Sequence, residues 1–263
     1  MKTRFYAITS LYFIATGLFL FLIHDAYNSE LNTYLNKKTN DLQIAYDKVV
    51  ETYSISAKLL FDLEIDNPEI MSLISQTKNA DSTGLTIIRE ELYNKLSHTY
   101  RDMSKYNYRQ LHFHLSDNTS LLRFHRPEKF GDDLSIFRST ARNTNKYQTY
   151  SQGFEEGATL SAFRYVFPLL YKNEHYGSVE LSVSYLGIIS KIEENKDIAC
   201  SFMISREVIN SKIYKSEKNN YLTCNANKDF YVEKEGHDKI IKKQINGIEY
   251  PKIFKIFYQN AEA

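Results

Sequence analysis

An apolar segment at the N-terminus constrains this chain more than any other feature. Residues 5–23 form a run of about nineteen apolar or small residues without a charge, close to the ~20 that cross a bilayer core as a helix. Lys2 and Arg4 precede the run, and His24 and Asp25 follow it. The positive-inside rule therefore predicts a cytoplasmic N-terminus, with the rest of the chain outside. A cleaved signal peptide is the alternative, but the run is longer than a usual signal-peptide core and no A-x-A site follows, so we predict an uncleaved single-pass anchor.

A long helix is predicted directly after this anchor. Residues Asp25 to Leu63 include no Pro or Gly, and at ~1.5 Å per residue they would form a helix of about 55 to 60 Å. Lys38 interrupts its apolar stripe, which disfavours an uninterrupted coiled coil. The helix is predicted to run up the side of a folded domain, to form a dimer stalk, or both. The residues that recur at helical spacing are Tyr27, Leu31, Tyr34, Leu42, Tyr46, Val49, Tyr53 and Leu60.

Composition limits the class of protein. The length of 263 residues allows one or two domains, and 43% hydrophobic with 25% charged residues indicates a globular chain. A formal net charge of +1 without a clustered basic face gives no reason to expect nucleic acid as a partner. The two cysteines, Cys200 and Cys224, are too few for a disulfide framework. They form either one bond outside the cytoplasm or two separately buried thiols.

Helices and strands alternate after the long helix. A short helix is predicted from Asn67-Pro68 to about Gln76, and a polar loop through Gly84 leads to a second helix with its apolar face from Leu85 to Met103. A third helix, with Asp132 or Asp133 as N-cap, is predicted to carry Leu134, Phe137 and Ala141. A fourth runs from about Leu186 to Asn195. The predicted strands are Arg109–Leu115, Ser120–His125, Thr159–Leu170, Tyr176–Ser184 and Ile198–Ser205, followed by weakly strand-like segments from Tyr221 to Phe257.

Polar side chains collect on particular faces of the predicted strands. Successive strand residues point to opposite faces, so Gln110, His112 and His114 share one face of the first strand, and Arg123 and His125 share a parity on the second. Glu155 is predicted to lie in a Gly-flanked bend. Arg164 lies inside an otherwise apolar strand, where an unpaired charge would cost several kcal/mol. These groups must pair with one another, with water or with a ligand.

Two interpretations of these side chains stay open. Arg123, Arg138 and Arg164 against Asp133 and Glu155 could form a closed ion-pair network. Alternatively, the guanidinium groups could grip a carboxylate or phosphate of a ligand, with the segment PEKFGDDL as a candidate lid loop.

The histidines also allow more than one interpretation. His112, His114 and His125 could be zinc or copper ligands, but no cysteine adds to them, and we predict no metal or cofactor. They could instead form hydrogen bonds inside the sheet or contact a ligand directly.

A family resemblance is carried by the motifs H-F-H-L, L-R-F-H-R-P-E-x-F-G-D-D-L, F-R, G-F-E-x-G and F-R-x-x-F-P. They resemble the extracytoplasmic double Cache sensor module of bacterial sensor kinases, diguanylate cyclases and chemoreceptors. The resemblance is dense over residues 109–185 and poor after about Ser205. It implies an α+β fold, with a transmembrane-plus-stalk helix, a PAS-like antiparallel sheet domain and a smaller membrane-proximal α/β unit. The expected boundaries are 1–24 for the cytoplasmic tip and membrane helix, 25–63 for the stalk, 64–196 for the distal sensor domain and 197–263 for a proximal, truncated-looking unit.

The resemblance also implies a function. It indicates a ligand-sensing domain of a signal-transduction receptor in the inner membrane, with its bulk in the periplasm and a homodimer formed through the long helix. No kinase, GGDEF or other output segment is evident in the chain, so the alternative is a membrane-anchored Cache-like binding or interaction protein without signalling output. No catalytic motif indicates an enzyme. The predicted site is a shared polar cavity for a small anionic or zwitterionic solute, lined by His112, His114, Arg123, His125, Arg138, Glu155 and Arg164.

Overall fold

The structure is a computed structural model that describes residues 2–155, 161–194, 200–212, 218–224 and 227–234. The chain divides into two compact units, Met1–Ala45 and Tyr46–Ala263. Helix α1 spans Lys2–Leu60, so the long uninterrupted helix predicted from the sequence is confirmed. Among the described residues, α1 alone is long and apolar enough to cross a membrane, a finding that rests on length and composition only.

The second unit begins with three helices in succession. After α1, a turn of π-helix covers Phe61–Ile65, and α2 (Pro68–Ser75) and α3 (Ser82–Ser104) follow. The Asn67 side chain accepts a hydrogen bond from the Ile70 amide at 3.0 Å, which caps α2 as the Asn-Pro pair predicts. The Asp81 side chain caps α3 by accepting from the Gly84 amide at 2.8 Å. Gly84 therefore lies in the first turn of α3, and the loop predicted through it is shorter than expected.

Five antiparallel strands form the main sheet. Their bounds are β1 (Tyr108–Leu115), β2 (Ser120–Arg123), β3 (Ser151–Glu155), β4 (Ala162–Tyr171) and β5 (Glu174–Ser184). They lie in the order β2-β1-β5-β4-β3, so the predicted PAS-like antiparallel sheet is confirmed. The hairpin from β4 to β5 turns at Lys172 and Asn173, whose φ values of 51° and 63° are left-handed, as a tight hairpin requires.

One face of this sheet is apolar and packs against helices of the same unit. Phe167 stacks on Phe61 with ring centroids 4.6 Å apart, and the Tyr108 ring meets Tyr53 edge-on at 5.8 Å. These contacts place the last turns of α1, and the π-helical turn that follows them, over the sheet. The face is built from alternating odd-numbered residues, all buried: Leu111, Phe113, Phe163, Tyr165, Phe167, Leu169, Val179, Leu181 and Val183.

Helix α4 spans Ser139–Tyr147 and contacts β3, β4 and β5. The prediction that Asp132 or Asp133 caps a helix carrying Leu134 and Phe137 is wrong, because the helix begins only at Ser139. The Asp133 carboxylate instead accepts from the Ser135 amide at 2.8 Å, which stabilises a local turn. Helix α5 (Tyr185–Glu193) follows β5 and begins one residue earlier than predicted.

A second, small sheet contains β6 (Ile204–Ser205), β7 (Tyr221–Thr223) and β8 (Phe230–Glu233), in the antiparallel order β6-β8-β7. Helix α6 (Arg206–Lys212) lies between β6 and β7 in the chain. Of the strand predicted over Ile198–Ser205, the structure shows only the last two residues, and 198–199 lie outside the described residues. The segments predicted after residue 234 lie outside them too. No disulfide joins Cys200 and Cys224, which are both described.

Candidate functional site

The second face of the main sheet is polar and lies in the interior. Strand pairing sets His112 opposite Glu180 and Arg164 opposite Ser182, so even-numbered residues of three adjacent strands share this face. The predicted grouping of Gln110, His112 and His114 is present. The buried polar residues of the face are Gln110, His112, His114, Ser120, Glu155, Arg164, Ser178, Glu180 and Ser182. We call this set, together with Arg138, the polar cluster.

Arg164 is the centre of the polar cluster. Its side chain is fully buried and forms an ion pair with Glu180 through Nη1. Its Nε lies 3.2 Å from Oε2 of Glu155, and Nη1 also donates to Gln110 Oε1 at 3.1 Å. The charge that the sequence places inside an apolar strand is therefore paired with two acids, as the desolvation of a lone guanidinium would require.

Glu180 is the acid that the sequence interpretation missed. Its side chain is fully buried in β5, where Ser178, Glu180 and Ser182 alternate with Val179 and Leu181. That alternation is the signal that could have identified it, since a carboxylate at a buried strand position needs a cationic partner. Burial by itself would raise the pKa of Glu180, but the neighbouring guanidinium groups of Arg164 and Arg138 lower it to about 2.

The two histidines of β1 are held by serines. His112 Nε2 lies 2.8 Å from Ser120 Oγ, and His114 Nδ1 lies 3.0 Å from Ser178 Oγ. The imidazole ring centroids are 4.2 Å apart. Burial, followed by the charge of neighbouring groups, holds the pKa of His112 well below its usual value. Burial also lowers the pKa of His114 to about 4, although Glu180 opposes this. Both rings are therefore neutral at neutral pH.

Glu155 connects the sheet to α4. It is the last residue of β3, so its predicted place in a bend was wrong. Its Oε1 accepts hydrogen bonds from the Thr140 amide at 2.7 Å and from the Ser139 hydroxyl. A carboxylate from a later strand thus accepts the hydrogen bonds that the first turn of the helix donates, which explains why α4 begins at Ser139.

Arg138 enters the polar cluster from the loop before α4. Its Nε lies 3.9 Å from Glu180 Oε2, and its side chain is 12% exposed. Burial, with Arg164 adding to it, lowers the pKa of Arg138 to about 10. Among the described residues, neither Nε nor Nη1 has a hydrogen-bond acceptor. Other buried atoms of the described part without a hydrogen bond include His114 Nε2, His125 Nδ1, Thr140 Oγ1, Asn145 Oδ1, His175 Nε2 and Glu180 Oε2.

Arg123 and His125 lie at the margin of the cluster. Arg123 forms a two-pronged ion pair with Asp132, with both N–O distances at 2.7 Å, and Nη1 also donates to the Lys129 carbonyl. The Arg123 guanidinium therefore links the end of β2 to the loop that follows it, through Lys129 and Asp132.

His125 follows the end of β2 and lies in a turn, so its predicted strand position was wrong. Burial, with the charge of Arg123 adding to it, lowers the pKa of His125 to about 4.

The formal charges of the buried cluster balance. Arg138 and Arg164 supply two positive charges, and Glu155 and Glu180 supply two negative ones, while the Arg123–Asp132 pair is neutral by itself. A buried ligand with a large net charge would upset this balance. Two surface depressions in the described part of the chain are lined by other residues, including Leu73 and Ile88 in one and Arg206 and Asp229 in the other.

The donor set for a metal differs from the three histidines considered in the sequence. His112, His114 and Glu180, rather than three histidines, place nitrogen and oxygen atoms within 4.8 Å of one another, all buried. Two guanidinium groups already pair with Glu180. A divalent cation at this carboxylate would meet their positive charges in a low-dielectric interior, so the surroundings disfavour a metal.

A long N-terminal helix followed by an antiparallel sheet with a buried polar face is the arrangement that the resemblance to the double Cache sensor module implies. The sequence model of the dCache_3 family, described as the double sensory domain of two-component sensor kinase, matches residues 46–237, and the chain belongs to this family. The protein thus contains a Cache sensor domain of signalling receptors. This family is a sensory rather than a catalytic one.

Solved structures of similar proteins are distant in sequence. The sensor domain of the Vibrio cholerae histidine kinase DctB shows 14% identity and a TM-score of 0.45, over 66% of this chain and 63% of that one. The sensory domain of the Campylobacter jejuni chemoreceptor Tlp3 with isoleucine bound shows 12% identity and a TM-score of 0.42, over 69% and 71%. A domain of a sensory box/GGDEF family protein from Vibrio parahaemolyticus shows 16% identity and a TM-score of 0.32, over 55% and 58%. No curated protein matches the chain by sequence.

Proposed function

We propose that the chain is a membrane-anchored receptor that senses a small solute on the polar face of its main sheet. The observation that carries this proposal is a group of buried polar atoms without hydrogen bonds around Glu180 Oε2, with Arg138 Nε 3.9 Å and His114 Nε2 4.0 Å from it. Buried polar groups are normally satisfied, and each one left without a partner costs about 1–3 kcal/mol. A closed structural network would not leave several of them in one place, whereas a ligand site would.

The charge balance of the cluster supports a zwitterionic solute over an anionic one. A carboxylate group of the solute would meet Arg138, whose Nη1 has no acceptor among the described residues, and an ammonium group would offset the added negative charge. The proposed contacts are the seven predicted residues, with Glu180 added at the base. Among these seven, Arg164 also holds Glu155 and Glu180 in place through its ion pairs with them.

The proposed location is the inner membrane, with residues 5–23 as a single crossing and the bulk of the chain in the periplasm. The charge asymmetry around the apolar run supports this orientation. The proposed boundaries are 25–63 for the stalk, 64–196 for the distal sensor domain and 197–263 for the proximal unit. The small β6-β8-β7 sheet supports a distinct proximal part within the compact unit Tyr46–Ala263.

The proposed homodimer would use the outward side of the end of α1 and of the π-helical turn after it. Ile55, Leu59 and Leu63 are 63%, 56% and 67% exposed and recur every four residues, so together they make an apolar stripe. Leu59→Glu is expected to convert a dimer to a monomer, whereas Lys58→Gln, at the adjacent exposed position, leaves it intact. Light scattering of the full chain in detergent distinguishes these results. A wild-type monomer at every concentration would contradict the dimer.

The ligand proposal is tested by thermal shift of the full chain in detergent. Amino acids, organic acids and amines are screened against wild type, Arg138→Gln and the control Arg142→Gln, whose side chain is exposed on α4. We expect at least one zwitterionic solute to raise the Tm of wild type and of the control, with no effect on Arg138→Gln. If no solute shifts the wild type, or if Arg138→Gln responds as wild type does, the proposed site is wrong.

A further inference from the structure

Three polar atoms deep in the cluster lie close together without direct hydrogen bonds. They are His114 Nε2, Arg138 Nε and Glu180 Oε2. Glu180 Oε2 is 4.0 Å from the histidine nitrogen and 3.9 Å from the arginine nitrogen. Both separations are longer than a hydrogen bond. Two groups lie about 4 Å apart when both form hydrogen bonds of about 2.8 Å to the same bridging atom and the two bonds meet at that atom at an angle.

The chemistry of the three groups restricts what that atom can be. A guanidinium N–H only donates, and an ionised carboxylate only accepts. A shared atom must therefore accept from Arg138 and donate to Glu180, which an O–H oxygen does. A carboxylate oxygen cannot donate, and an ammonium group cannot accept. His114 fits either role, because the Ser178 hydroxyl at its Nδ1 can act as donor or acceptor.

We propose that His114, Arg138 and Glu180 together bind one hydroxyl oxygen, supplied by water in the free protein or by a hydroxyl group of the solute. This inference deepens the proposed function, since it concerns the same face of the sheet and rests on it. The side chains of His114 and Glu180 are both fully buried. Such an oxygen would satisfy three orphaned polar atoms at once, the usual number of hydrogen bonds made by a buried water.

The first arm of the test is a crystal structure of residues 46–263, which include the whole of the described apolar core. The expected result is a density peak within hydrogen-bond distance of His114 Nε2, Arg138 Nε and Glu180 Oε2. The proposal is overturned if Arg138 instead bonds directly to Glu180 with no peak between them. It is also overturned if a solute complex places a carboxylate or ammonium atom at this position.

The second arm separates the two sources of the oxygen. Thermal shift of the full chain in detergent compares isosteric pairs that differ by hydroxyl against methyl, L-threonine with L-valine and L-serine with L-2-aminobutyrate. If the solute supplies the oxygen, the hydroxyl member gives the larger rise in Tm, and Arg142→Gln keeps that difference. Equal rises in Tm within each pair would show that water, and not the solute, supplies the oxygen. If no solute shifts the wild type at all, the proposed function fails, and the crystal structure still decides the oxygen site.

Discussion

Arg164 and Tyr165 are consecutive residues of β4 whose buried side chains leave opposite faces of the main sheet. Arg164 pairs with Glu180 in the polar cluster, and the Tyr165 hydroxyl donates to the Val50 carbonyl of α1 at 3.2 Å. One strand therefore touches both the proposed ligand site and the long helix. A ligand that favours one arrangement of β4 would shift the contacts of α1 as well, and only a difference in affinity between two arrangements can do so.

The hydroxyl of Tyr165 is expected to contribute modestly to stability. Tyr165→Phe removes one hydrogen bond to α1 and keeps the ring, so the free energy of unfolding should fall by about 0.5–1.5 kcal/mol. The measurement is chemical denaturation of the full chain in detergent. Tyr147→Phe is the control, since its side chain is 60% exposed and should change nothing. Equal effects of the two substitutions would contradict a specific contact with α1.

Loss of Arg164 should be severe. Arg164→Met leaves Glu155 and Glu180 buried without their main cation, and breaking a buried pair in this way costs about 3–5 kcal/mol in the free energy of unfolding. The same denaturation measurement tests it, with Arg109→Met as control because Arg109 is exposed on β1. Adding Glu180→Met to Arg164→Met should recover part of the loss. If the double variant is less stable than the single one, the two groups do not act as a pair.

The sequence predicted the features that depend on local alternation. Strand parity correctly placed Gln110, His112 and His114 on one face. A charge in an apolar strand correctly indicated that Arg164 is buried and needs a partner, but left open whether protein, water or ligand supplies it. Prediction from the sequence failed where distant segments decide the outcome. Helix α4 begins at Ser139 because Glu155, from a later strand, accepts from its first turn. Asp133 resembles an N-cap in sequence, but its carboxylate bonds within a turn.

Glu155 should show two separable contributions to stability. Glu155→Gln keeps an oxygen for the Thr140 amide but loses the charge beside Arg164, whereas Glu155→Ala loses both. Loss of a helix cap alone costs about 0.5–2 kcal/mol, so Glu155→Ala should be less stable than Glu155→Gln by about that amount. Denaturation of both variants provides the comparison. Equal stabilities would show that the contact with α4 contributes nothing.

The proposed membrane orientation is tested by reporter fusions after Ser29. A reporter active only outside the cytoplasm should be active there, because Lys2 and Arg4 favour a cytoplasmic N-terminus. Changing both to Glu should reduce its activity. A fusion that is active only with a cytoplasmic reporter would show the opposite topology, with the polar cluster in the cytoplasm.

The free energy of unfolding is expected to fall at acidic pH. His114 has a pKa of about 4 in the folded protein against 6.5 as its ordinary value, chiefly because of burial. Between these two values the unfolded chain binds a proton that the folded protein does not, so stability falls as the pH falls. Above about 6.5 the imidazole is neutral in both states, and below about 4 it is charged in both, so the slope vanishes at either end. The lowered pKa corresponds to about 3 kcal/mol at most, and His112 and His125 act in the same direction.

Urea denaturation of the full chain in detergent between pH 7 and 4.5 measures this loss. The stabilisation from Glu180 stays constant across this window, since its pKa is lowered from 4.5 to about 2 and its contribution is lost only as the pH falls below about 4.5. His114→Gln should flatten the profile, because a neutral side chain that still bonds to Ser178 replaces one that titrates. His98→Gln is the matched control, since His98 lies on α3 with its side chain 81% exposed. Wild-type stability that stays level or rises as the pH falls from 7 to 5 would show that the buried histidines are not kept neutral by the fold.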